Sequence, residues 1–186
     1  MKQDIKGRIV MGSSNKHHAL QEFFDNNRLK CDECGCLLDP YYRSLRIDFK
    51  SKFEFSYTYE GVAIVNQRFK DFIQTEGYNN VIFFPVNEKN EFFYFHVLNN
   101  YIEINKEKSG IVYEDLCKTC NYPSEIIGGF EIYLKQVDPL IDRFYTTDVY
   151  WRTHYSYRPW VVIGNETHRK LKMQKFKGLD MFAKVY

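Results

Sequence analysis

No run of apolar residues in this sequence is long enough to span a bilayer, and the opening stretch MKQDIKGRIVMGSSNKHH lacks the apolar core of a secretory leader. Both absences predict a cytoplasmic protein with no membrane partner. Charge of one sign is lacking too: 26 basic residues against 24 acidic ones leave a net charge of +2. Nucleic-acid binders carry a basic excess or stripe, and the nearest thing here is Arg169, Lys170, Lys172, Lys175 and Lys177, which read first as a solvated helix face. A nucleic-acid partner is therefore not expected. A phosphate-cradling glycine loop, a Ser–His–Asp order and a metal-hydrolase motif are all missing, which lowers the expectation of an enzyme. With five cysteines, an odd number, the chain does not suit a closed disulfide framework.

What the chain has in quantity is aromatic surface. Sixteen Phe, 15 Tyr and two Trp make up 18% of the residues, within a composition (44% hydrophobic, 27% charged) suited to a folded soluble protein. Most of these rings belong to strands and core, and some Tyr and Trp suit an interface. A single domain over residues 1–186 is expected. The segment 5–10 reads as a strand, and Ser14 as the cap of a helix running through Ala19, Phe23 and Phe24. After Pro40, the alternation in YYRSLRIDFKSKFEFSYTYE predicts one or two strands, and residues 92–105 read as a strand pair turning at Asn99 and Asn100.

A weak internal repeat relates residues 61–86 to residues 159–185. Val62, Ile64 and Asn66 align with Val161, Ile163 and Asn165, and Phe72 with Leu171. After a one-residue gap, Tyr78, Asn80 and Val81 fall on Phe176, Gly178 and Leu179. Each copy predicts a strand, a helix and a second strand, with Asn66 and Asn165 as N-caps and Phe69, Phe72 and Ile73 on one buried helix face. The fold class expected is α+β: two strand–helix–strand repeats with additional antiparallel strands.

The cysteines give the sharpest signal. Cys31-Asp-Glu-Cys34-Gly35 and Cys117-Lys-Thr-Cys120 each place two thiols at the spacing of a zinc knuckle, at residues 31–36 and 117–121. Two residues between thiolates let both sulfurs turn to one ion, and Gly35 supplies a left-handed backbone. Cys31, Cys34, Cys117 and Cys120 together would complete a structural Zn2+ site with no open position for water. The 82 intervening residues make this a split site, tied across the main body of the chain. Four unpaired thiols, or a redox pair, are the competing readings. Cys36 is left over, either as a small buried residue or as a substitute ligand for Cys34.

This order of parts resembles the double-CXXCG immunity proteins of bacterial polymorphic toxin systems. The pieces that carry the resemblance are CDECG at 31–35, VAIVNQRFKDFI and its following strand at 62–86, CKTC at 117–120, and WVVIGNETHRKL with FKGLDMF at 160–182. Asn121 stands where the family motif has Gly; it also tolerates a left-handed backbone. The resemblance implies a protein that neutralises a cognate toxin by tight non-covalent capture. An interface of that kind needs aromatic anchors inside a polar rim. The segment Tyr145–Trp160 has this composition, with Tyr150, Trp151, Tyr155 and Tyr157 as candidate anchors; an ordinary strand leading into the second repeat is the alternative. Two other functions remain open: a zinc-stabilised nucleic-acid-binding module, and an enzyme whose site draws on Glu125, Asp142, Asp148 and His154.

Overall fold

A computed structural model describes residues 4–15, 29–39, 41–44, 47, 49–89, 91–153, 156–179 and 181–186. Among them are eleven strands and two helices in the predicted α+β arrangement. The first half contains β1 (Gly7–Met11), β2 (Phe55–Tyr57), β3 (Ala63–Asn66), α1 (Gln67–Thr75), β4 (Val81–Pro85) and β5 (Phe92–Val97). The second half contains β6 (Tyr101–Ile102), β7 (Val112–Leu116), β8 (Pro123–Ile127), β9 (Phe144–Thr153), β10 (Ser156–Ile163), α2 (Asn165–Gln174) and β11 (Met181–Val185). Sheet orders are β2-β3-β5-β4 and β11-β1-β10-β9-β6, with β7-β8 a separate hairpin. Neither helix is long and apolar enough to cross a membrane.

Both strand–helix–strand repeats are present, and the sheets show how they close. In β3–α1–β4 the two strands run parallel with β5 inserted antiparallel between them; in β10–α2–β11 the inserted strand is β1. Outside β3 lies β2, and outside β10 lies β9, both antiparallel. Strand for strand, β2-β3-β5-β4 matches β9-β10-β1-β11. The N-terminal strand thus fills in the second repeat the place that β5 fills in the first.

The structural equivalence runs one residue away from the sequence alignment. The helix caps are Asn66 and Gly164, not Asn66 and Asn165. Pairing the caps joins Val65 to Ile163, Phe69 to Thr167, Ile73 to Leu171 and Tyr78 to Phe176 without a gap, and every one of these is buried. Asn66 accepts from the Phe69 amide at 3.0 Å, as expected of an N-cap. At the second cap the chain passes too close to Ile141 for any side chain: a Cβ on Gly164 would lie 1.9 Å from that carbonyl oxygen. Asn165 is instead the first helical residue and donates to the Ile5 carbonyl at 2.8 Å. Glu166 supplies the favourable charge in that first turn.

One core joins the two repeats. Phe55 and Phe144 occupy matching places on β2 and β9, opposite Val65 and Ile163, and pack with Phe69, Ile73, Phe95 and Leu171. Edge-on ring contacts such as Phe95–Phe144, 5.5 Å between centroids, tie one sheet to the other. A polar clasp reinforces the join. The Asp142 carboxylate accepts from the Tyr78 hydroxyl (2.7 Å), the Thr167 hydroxyl (2.8 Å) and the Lys170 ammonium (2.6 Å), and Lys170 also reaches Glu76 at 2.8 Å. Burial opposes ionisation of Asp142, but the three donors, Lys170 first, outweigh it and hold the carboxyl below its ordinary range.

One strand expectation is corrected, and the one after Pro40 is met by a single short strand. Residues 92–105 do not form a hairpin: β5 belongs to one sheet, while β6 leaves it to pair parallel with β9. The Asn99–Asn100 turn is therefore a crossover, fixed where the Thr146 amide donates to the Asn100 carbonyl at 2.8 Å. Among the described residues of 41–60, Phe55–Tyr57 is the one strand, and Ile47 and Phe49 are buried with Val62, Ile64 and Tyr94. Ser14 bridges to Tyr57, and the helix expected through Ala19, Phe23 and Phe24 lies outside the described residues.

Removing residues 1–11 strips β10 and β11 of their shared neighbour, so denaturant unfolding is expected to lose its single cooperative transition. Unchanged cooperativity in the truncated chain contradicts the closure. Asp142→Asn should cost about 1–2 kcal/mol at neutral pH. Because the folded-state value is depressed, the Asp142 contribution is complete above the ordinary carboxylate pKa of about 3.9 and is lost as pH falls through the folded value. The variant should therefore show a shallower acid limb in a melting profile against pH.

Candidate metal centre

The two knuckles are built alike. In the first, the Cys31 amide donates to the Cys36 carbonyl (2.8 Å) and the Gly35 amide to the Cys31 carbonyl (2.8 Å). In the second, the Cys117 amide donates to the Tyr122 carbonyl (2.9 Å) and the Asn121 amide to the Cys117 carbonyl (2.8 Å). Gly35 (φ 69°) and Asn121 (φ 59°) hold the same left-handed position, so Asn121 does in the second knuckle what Gly35 does in the first. Flanking pairs match as well: Lys30 bridges to Leu37, and Leu116 pairs with Pro123. Leu37 is wholly buried against Leu29 and Tyr42, which anchors the first knuckle. The second caps the tip of the β7–β8 hairpin.

The sulfurs of Cys31, Cys34, Cys117 and Cys120 all lie within 4.8 Å of one another. Across the knuckles, Cys31 and Cys117 are 3.7 Å apart and Cys34 and Cys120 3.5 Å. A tetrahedral ion at about 2.3 Å from each sulfur sets sulfur–sulfur distances of about 3.75 Å, so the four thiols fit one ion with little movement. Every cysteine is a free thiol. Amide donors at Cys34, and then at Glu33, pull the Cys31 thiol down to about 7, whereas burial and the neighbouring sulfurs push Cys120 up to about 12. Such a split is what crowding imposes: four thiolates cannot all ionise together without a cation among them.

Glu33 adds a second fastening between the knuckles. Its carboxylate accepts from the Thr119 hydroxyl (2.8 Å), the Thr119 amide (3.1 Å) and the Cys117 thiol (3.4 Å). These bonds, the Thr119 hydroxyl first, hold Glu33 below the ordinary carboxylate range. Sequence reasoning missed this pair; the signal was an acid inside one CXXC and a hydroxyl inside the other. Cys36 is buried beneath its knuckle, its thiol 3.9 Å from the Cys34 carbonyl, and lies outside the four-sulfur group.

The candidate partner-binding residues are dispersed in role. Tyr157 is 1% exposed, stacks on Tyr122 at 4.6 Å and donates its hydroxyl to the Pro123 carbonyl, so it anchors the hairpin from inside instead of facing a partner. Trp151 stacks flat on Trp160 at 3.8 Å. Tyr150 is half-buried, its hydroxyl 3.4 Å from that of Tyr41. Tyr155 lies outside the described residues, as does His154. Tyr150 and Tyr157 line an open cleft of about 240 Å³ between the hairpin and β9, together with Asp148 and with Tyr113 and Tyr122, two rings the sequence did not single out. Of the acids named for a dispersed enzyme, Asp142 is engaged by Lys170, Asp148 lines this cleft, and Glu125 stands opposite Glu114 on the hairpin. In the basic C-terminal stretch, Arg169 pairs with Glu166 at 2.6 Å and Lys170 with Asp142 and Glu76.

A smaller cavity of about 50 Å³, lined by residues of both sheets, includes Tyr41, His96, Thr146 and Arg158. Burial presses His96 down to about 4, so its ring is neutral, and its Nε2 and the Thr146 hydroxyl have no hydrogen-bond partner among the described residues. The volume suits a few ordered waters.

The purified chain is expected to carry one ion, and strong chelation to lower its melting temperature sharply. Cobalt(II) loading should give thiolate charge-transfer absorption that Cys34→Ser and Cys120→Ser each weaken. Equal metal content in the two variants and the parent contradicts the shared centre. No protein-family model matches this chain and no curated protein matches it, so the centre rests on its own geometry.

Proposed function

We propose that this protein is an immunity protein, which binds a cognate bacterial toxin in the cytoplasm and neutralises it by non-covalent capture. The ion in its four-thiol centre is zinc: thiolates in a tetrahedral set suit it, and four protein ligands leave no position for a reacting water, so its role is structural. Cys31, Cys34, Cys117 and Cys120 hold it, and the ion fastens the hairpin to the first knuckle.

One observation carries this reading. The hairpin that the centre holds is solvent-exposed along nearly its whole length and carries apolar side chains, with Val112 55% and Leu116 52% exposed, and Phe130 just beyond it at 98%. An apolar ribbon stiffened by a closed metal centre suits binding another protein. The order of knuckles and repeats, which resembles double-CXXCG immunity proteins, supplies the kind of partner. Tyr150 and Trp151, on β9 beside this ribbon, are its candidate anchors.

Co-expression with candidate toxins encoded by neighbouring genes tests the reading. The expected result is restored growth and a complex that survives gel filtration at high salt, with Leu116→Asp or Phe130→Asp weakening both by tenfold or more, about 1.4 kcal/mol. Failure to protect, together with nucleic-acid binding that falls steeply with salt, contradicts it.

A further inference from the structure

The cleft between the β7–β8 hairpin and β9 has a composition that selects its occupant. Its volume of about 240 Å³ is below the 300–1,000 Å³ of pockets that enclose whole small molecules, but is ample for one long side chain. Rings of Tyr113, Tyr122 and Tyr150 form its walls, with Asp148 among them. Aromatic faces attract a cation, and a fixed carboxylate completes such a site.

Asp148 is held in place by a backbone donor. Its Oδ1 accepts from the Ile104 amide at 2.8 Å, and among the described residues no ion pair reaches it. Lys135 feels its charge, yet the Lys135 ammonium is bonded to Glu103 at 2.5 Å. On the hairpin, Glu114 stands directly opposite Glu125 on the strand face away from Tyr113, so this like-charge pair lies outside the cleft. Within the chain, Lys106 already reaches the Tyr113 ring at 5.1 Å, without lining the cleft. The Tyr157 hydroxyl on the Pro123 carbonyl and the Tyr122–Tyr157 stack keep the walls in place before anything binds, which lowers the ordering cost of binding.

We propose that this cleft receives the charged end of an arginine or lysine side chain presented by the partner protein. The proposal rests on the immunity reading only for the identity of that partner; the recognition chemistry stands on the cleft. Asp148 takes the charge, and Tyr113 and Tyr150 take the flat or methylene surface behind it.

The test titrates metal-loaded, isotope-labelled full chain with Nα-acetyl-arginine methylamide and Nα-acetyl-lysine methylamide, following backbone amide resonances. A neutral probe of similar length, Nα-acetyl-norleucine methylamide, is the control. Saturable shifts confined to Tyr113, Asn121, Tyr122, Asp148 and Tyr150 are expected from the cationic probes only. Asp148→Asn, which keeps an acceptor for the Ile104 amide, should weaken binding about tenfold, and Tyr113→Ala, at a solvent-exposed ring, severalfold, with metal content and melting unchanged. No saturable shifts, an equal response to the neutral probe, or an unchanged response in Asp148→Asn overturns the proposal. Toxin capture separates the two readings. Capture that Asp148→Asn leaves untouched removes this cleft from the interface while the immunity reading stands. Cationic probes bound in the cleft of a chain that captures no toxin leave the cleft intact and remove the immunity reading.

Discussion

Four sulfurs crowded within 4.8 Å cannot all carry charge unless a cation lies among them, and this requirement governs how the chain's halves meet. Among the described residues, the β7–β8 hairpin joins neither large sheet by strand pairing, and it is exposed along nearly its whole length. What fixes it is the knuckle at its tip, the Glu33–Thr119 bonds beside the sulfurs, and Tyr157 beneath Pro123. Closing the 82-residue loop between the knuckles costs little more entropy than closing a short one, because the cost grows with the logarithm of length. A single ion is therefore an economical way to hold an exposed ribbon rigid.

Knuckle and repeat belong to one larger pattern. Each half runs knuckle, outer strand, strand, helix, strand, and each sheet needs one more strand at its centre. The first half makes that strand itself, as β5; the second takes β1 from the start of the chain. Matching residues, Phe55 with Phe144, Val65 with Ile163 and Ile73 with Leu171, fill one shared core, so the halves stabilise each other. In the polar clasp, Tyr78 and Glu76 come from the end of the first helical unit and Thr167 and Lys170 from the second helix. The arrangement is that of a symmetric pair carried within one chain, with β1 filling the gap between β10 and β11.

The parts legible in the sequence were those that local chemistry dictates. Thiol spacing marked all four sulfurs, aliphatic and aromatic periodicity found both strand–helix–strand units, and Asn66 announced its own cap. What escaped depends on distant chain segments. Asn165 looked like a cap because nothing local shows that Ile141 passes against Gly164. The aromatic segment 92–105 read as a hairpin because alternation cannot say which strand pairs with which, and β9 took β6 instead. Tyr157 reads as a surface anchor because nothing local shows that Pro123, 34 residues earlier, lies above it. For the same reason the cleft was invisible: Tyr113, Tyr122 and Asp148 are brought together by the knuckle and by β9, not by spacing.

The most direct test of the central claim is X-ray absorption at the metal edge of the purified chain. One zinc surrounded by four sulfurs at about 2.3 Å is the predicted result. A first shell containing nitrogen or oxygen, or sulfurs supplied by one knuckle alone, contradicts a centre that joins the two halves.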